Sequence, residues 1–74
     1  MTASELRDQL VTVLTREHLG DRRRWRIAVG EVRVYSTDTH PHCNWSVTPS
    51  GRAEDIDRIE NLVDLFRERY PIVR

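Results

Sequence analysis

The sequence predicts one small α+β domain over residues 1–74, two layers deep and ordered α-β-β-β-α. Three observations lead there. Apolar residues recur at helical spacing near both ends of the chain, the middle alternates apolar and polar residues with a period of two, and turn formers separate the alternating runs. Each strand then has one apolar face and each helix one apolar stripe. The expected fold is a three-stranded antiparallel meander with both helices on one face and the other face in water.

The first helix opens on a capping box, Thr2 followed by Glu5, and carries Ala3, Leu6, Leu10, Val13 and Leu14 along one side to about His18. Gly20 stands where a left-handed C-terminal cap is expected, and Asp21 begins a charged turn. From Arg24 the period becomes two. Trp25, Ile27 and Val29 face one way and Arg24, Arg26 and Ala28 the other. Gly30-Glu31 suits a type II′ turn, after which Val32 and Val34 return on the buried side and Arg33 and Tyr35 on the outer side. The expected hairpin is apolar toward the core and arginine-rich toward solvent.

Ser36 to Pro41 reads as a loop, and a third strand follows in which Cys43, Trp45 and Val47 alternate with Asn44, Ser46 and Thr48. Pro49-Ser50-Gly51 ends it. The second helix starts near Arg52 and presents Ile56, Ile59, Leu62, Val63, Phe66 and Tyr70 as its stripe. Glu54, Asp55 and Asp57 suit its positive end, and Pro71 terminates it. Leu65 and Val11 fall outside their stripes and are expected to be exposed, where a second copy of the chain can pack to give a homodimer.

Size and composition narrow the function. Seventy-four residues make a single domain near the lower limit for folding without cross-links, too small for a deep substrate cavity. One cysteine cannot form an internal disulfide, and no apolar run approaches the ~20 residues of a membrane span, so a cytoplasmic protein with no membrane partner is expected. Net charge is zero, yet all twelve basic residues are arginine. Residues 21 to 35 hold Arg22, Arg23, Arg24, Arg26 and Arg33 against Asp21 and Glu31, whereas residues 52 to 70 hold six acids against four arginines. One face should be basic and another acidic.

The segment Asp38-Thr39-His40-Pro41-His42-Cys43 gathers metal-competent side chains. A structural zinc site draws its ligands from two separated pairs, and the remaining histidine, His18, lies at the far end of the first helix, so no metal is expected. Strand alternation turns Cys43 inward and His42 outward. A buried thiol is inert because desolvation disfavours the thiolate, and no oxyanion loop accompanies it, so neither a cysteine enzyme nor a cofactor is expected.

At the level of chain order, the α-β-β-β-α arrangement resembles the double-stranded RNA-binding domain. Such domains use basic residues at the start of the second helix. The matching segment is Ser50-Gly51-Arg52-Ala53-Glu54-Asp55, with a single arginine ahead of acids. The order is also similar to that of HicA-type messenger-RNA-cleaving toxins, which use one strand histidine. His42 holds that place here, without the family's Gly-Ser-His signature.

The expectation is a non-enzymatic interaction domain that binds a partner protein, more than nucleic acid, through Arg24, Arg26, Arg33 and Tyr35 on the outer sheet face, with His40 and His42 beside them. The format suits a small regulator or inhibitor of bacterial or phage type. The alternative is nucleic-acid binding, with ribonuclease activity at His42.

Overall fold

A computed structural model describes Met1–Arg74. The element order is α1 (Ala3–His18), α2 (Arg22–Val29), β1 (Val32–Val34), β2 (Trp45–Val47) and α3 (Ala53–Arg69). The protein is therefore α+β with an antiparallel sheet, but it has three helices and only two strands.

α1 begins as its sequence predicts. The Thr2 hydroxyl accepts from the Glu5 N–H, and the Glu5 carboxylate accepts from the Thr2 N–H, both at 3.1 Å. The bond from the Thr2 backbone, and then that to its side chain, holds the Glu5 carboxyl below its usual range. Leu6, Leu10, Val11 and Leu14 are buried. Val11 thus belongs to the core rather than to a surface open to a second copy. Leu65 on α3 is 63% exposed, as its place off the stripe predicts.

Residues 24–29, expected as the first strand of the meander, form helix α2. Trp25, Ala28 and Val29 are buried while Ile27 is 63% exposed, which is the spacing of a helix face and not of a pleat. Two local signals favour this outcome. The Asp21 side chain accepts from the Arg24 N–H at 2.7 Å as an N-cap, and arginine is among the better helix formers. Gly30 then closes the helix with φ 72°, its N–H reaching the Arg26 carbonyl, so it is a helix cap and not a hairpin turn. The chain order departs accordingly from that of the double-stranded RNA-binding domain.

Between α1 and α2 the chain reverses through Leu19 and Gly20, with φ of 55° and 109°. Leu19 has ψ 168°, a conformation nearly confined to glycine, and its side chain is 77% exposed. The Trp25 indole donates to the Leu19 carbonyl at 3.2 Å and holds it there. Leu19→Gly is expected to relieve the strain and stabilise the fold by about 1 kcal/mol, raising Tm by roughly 4–8 °C. A thermal melt showing a lower Tm would mean that the Leu19 side chain contributes more than its backbone costs.

β1 and β2 pair antiparallel with Val32 opposite Val47, Arg33 opposite Ser46 and Val34 opposite Trp45. A further bond, Tyr35 N–H to the Asn44 carbonyl at 2.7 Å, carries the pairing into the connecting loop. Ser36 organises that loop by accepting from the His40 N–H and, through its hydroxyl, from the Asp38 N–H.

The core joins the α1 leucines to Trp25, Ala28 and Val29 of α2, Trp45 of β2, Ile59, Val63 and Phe66 of α3, and Val73. Val73 lies in a tail that continues past Pro71 and docks. Asn44 is 3% exposed, and its amide binds the backbone of Val73 twice, donating to the carbonyl and accepting from the N–H, each at 2.8 Å. The Asn44 N–H donates to the Pro71 carbonyl, the Trp45 indole to the Tyr70 carbonyl and the Arg74 N–H to the Met1 carbonyl. Asn44, expected to face solvent beside Ser46, is turned inward because the tail supplies partners for both ends of its amide.

Candidate protein-interaction site

The four residues expected on an outer sheet face, Arg24, Arg26, Arg33 and Tyr35, and the two expected beside them, His40 and His42, divide into three groups. Arg33 and Tyr35 do lie on the outward side of β1 and its extension, where the Tyr35 hydroxyl meets Ser46 Oγ at 3.1 Å and its ring stacks on His40 at 4.4 Å. His40 Nδ1 is 2.9 Å from Thr39 Oγ1. His42 is exposed and takes part in no side-chain bond of this cluster. Arg24 and Arg26 are on α2 and do not join the sheet face.

Arg26 points back toward α1, pairing with Asp8 at 3.4 Å, while Arg7 donates to the Arg26 carbonyl at 3.0 Å. Arg24 goes to the other side. Its guanidinium lies 4.9 Å from the centre of the Trp25 ring and donates to Asp55 Oδ2 at 2.8 Å. This joins α2 to the first turn of α3 through a buried carboxylate, the Asp55 side chain being 7% exposed, and Arg58 of α3 approaches the other oxygen at 3.7 Å.

Between α2 and the start of α3 lies a recess of about 430 Å³, lined by Arg24, Ile27, Ala28, Ser50, Gly51, Arg52 and Asp55. Ile27 and Ala28 supply its apolar wall. The loop that forms its opposite edge is anchored by the Ser50 N–H, which donates to the Ala28 carbonyl at 2.9 Å. Arg52, at the N-cap of α3, is 77% exposed at the rim and makes no side-chain capping bond. Recesses of this size with an apolar wall and a few convergent polar groups are the usual form of a binding site.

Sequence reasoning missed Ile27 as a surface residue, because period-two alternation assigned it to the core. It noted Asp55 only as an acid suited to a helix N-terminus. No spacing signal could have found the pair Arg24–Asp55, whose partners are 31 residues apart in sequence.

The polar loop offers no competing centre. No group of three or more His, Cys, Asp or Glu is placed to hold a metal ion. The half-buried Cys43 thiol is directed to the Trp45 carbonyl at 3.5 Å. No helix is long and apolar enough to cross a membrane. Compared with known proteins, the chain matches no family, no curated protein and no solved structure.

Proposed function

We propose that the protein is a non-enzymatic interaction domain that holds a segment of a partner protein in the recess between α2 and α3. The observation that carries this is Ile27, a large aliphatic side chain 63% exposed on the wall of a recess rimmed by Arg24 and Arg52. Arginine beside a pocketed apolar anchor is the composition of an interface hot spot, where few residues supply most of the binding energy. The sequence-level expectation of a protein-binding domain is kept, and its surface moves from the sheet to α2. Arg33, Tyr35 and His40 remain as a second exposed cluster that a larger partner can also touch.

A protein partner is favoured over nucleic acid by charge. α2 carries four arginines, but Arg24 and Arg26 are already paired with Asp55 and Asp8, and the whole chain has no net charge. Phosphate binding draws on several unpaired cations and falls steeply with salt.

Amide chemical shifts of ¹⁵N-labelled protein, titrated with peptides selected from a display library and separately with duplex and single-stranded RNA, decide between the two. Selected peptides are expected to shift residues 24–28 and 50–55, and Ile27→Asp to weaken them by at least about ten-fold. Strongly salt-dependent RNA binding, or peptide shifts confined to residues 33–42, would overturn the proposal.

A further inference from the structure

The charge around the recess specifies the chemistry of the partner segment, a step that rests on the protein-binding function just proposed. We infer that the segment is acidic, with one apolar side chain seated against Ile27 and carboxylates on either side of it.

The faces of α2 divide according to what they meet. Trp25, Ala28 and Val29 enter the core. Arg22 donates to Thr12 Oγ1 at 2.8 Å and Arg26 pairs with Asp8, so these two, one turn apart, lie toward α1. The remaining face carries Arg23 and Ile27, also one turn apart, and both are exposed. Arg23 is part of no ion pair within the fold, unlike Arg24 and Arg26 on the same helix.

Cations therefore stand on both sides of the apolar wall formed by Ile27 and Ala28. Arg23 and Arg24 are on α2, and Arg52 is on the facing edge with its side chain 77% exposed. The acids nearby leave this charge available. Asp55 is shared between Arg24 at 2.8 Å and Arg58 at 3.7 Å, so one carboxylate serves two guanidinium groups. Glu54 meets Arg52 only at 3.9 Å, with both side chains in solvent, where such a pair contributes little. Asp21 is engaged as the N-cap of α2.

A purely apolar segment laid over Ile27 would take solvent from Arg23 and Arg52 and return no partner, which is unfavourable. A basic segment would be repelled. Carboxylates ahead of and behind the apolar residue give each arginine a charge-assisted, bidentate partner. A phosphate chain could meet the arginines but has nothing to place on the apolar wall. The volume of about 430 Å³ accepts one large side chain with the backbone that carries it.

The test pans a library of random peptides against the protein, then compares each selected peptide with versions in which its acids are replaced by glutamine or by lysine. Calorimetry reads affinity and amide shifts read the site. Selected peptides are expected to carry acids on both sides of an apolar residue, and the glutamine versions to bind about ten-fold more weakly. Arg23→Glu with Arg52→Glu should reverse the preference, so that the lysine version binds more tightly than the acidic one. Both side chains are exposed, and glutamate in the first turn of α2 suits its dipole, so the fold is retained. Selected peptides without flanking acids, glutamine versions that bind as tightly, or no reversal in the double variant would each overturn the acidic-segment inference and leave the interaction function standing. RNA or anionic phosphatidylserine vesicles shifting residues 23–28 and 50–55 in preference to every peptide would also overturn it. If no peptide perturbs the recess, the inference and the interaction function fall together.

Discussion

Trp25→Ala is expected to leave the chain largely unfolded at room temperature. Trp25 is fully buried between the end of α1 and the core, and its ring is approached by His18 at 5.9 Å and covered by Arg24. Removing a buried aromatic side chain costs about 3–5 kcal/mol. A single hydrophobic core in a domain of this size rarely supplies more than about 3–5 kcal/mol, so for 74 residues that loss is most or all of the total. The indole bond that fixes the strained Leu19 disappears as well, and with it the reversal between the first two helices. Trp25→Phe keeps most of the apolar volume and is expected to fold with a lower midpoint. Far-UV circular dichroism with urea titration reads both. A cooperative transition for Trp25→Ala close to that of the parent chain would show that α2 is an appendage and not part of the core.

The importance of Trp25 was visible in the sequence, while its structural setting was not. Long periodic segments identified α1 and α3 and most of their buried faces, because five and six apolar positions at helical spacing leave no other period. The run at 24–29 is too short for that. Trp25, Ile27 and Val29 satisfy a strand, and Trp25, Ala28 and Val29 satisfy a helix equally well. Asp21 three residues ahead of Arg24 was the available arbiter, and its capping bond decides the matter in the fold. The helix takes Arg24 and Arg26 off the sheet and turns Ile27 outward onto the wall of the recess. Arg33 and Tyr35 stayed on one side because alternate residues of an extended chain do, and His40 joins them by stacking on Tyr35. Val34 between them, expected on the buried side, is 44% exposed because the two-stranded sheet has no third strand or helix to cover it there. Asn44 and Val11 show a different limit. Each is buried by a distant partner, the C-terminal tail for Asn44 and the assembled core for Val11, and strand or helix periodicity carries no information about either.

The C-terminal tail is expected to be as necessary as a core element, and its dependence on one side chain makes the second large effect. Asn44→Ala removes both partners of the Val73 backbone, leaving a buried N–H and a buried carbonyl unsatisfied. Each such loss costs roughly 1–3 kcal/mol, so the substitution should destabilise the fold by about 2–4 kcal/mol once the tail is allowed to detach. Asn44→Asp tests the geometry more sharply. An aspartate can accept from the Val73 N–H but presents a second oxygen to the Val73 carbonyl, so it should be nearly as damaging as alanine. Deleting residues 72–74 exposes the space filled by Val73, which is 3% exposed, and should cost a comparable amount. The two changes act through one interaction and cannot be additive: in the shortened chain, Asn44→Ala should cost much less than it does in the full chain. Urea titrations of the four proteins in this cycle measure the coupling. Simple additivity would mean that Asn44 and the tail stabilise the fold independently, with the pair of bonds at 2.8 Å contributing nothing between them.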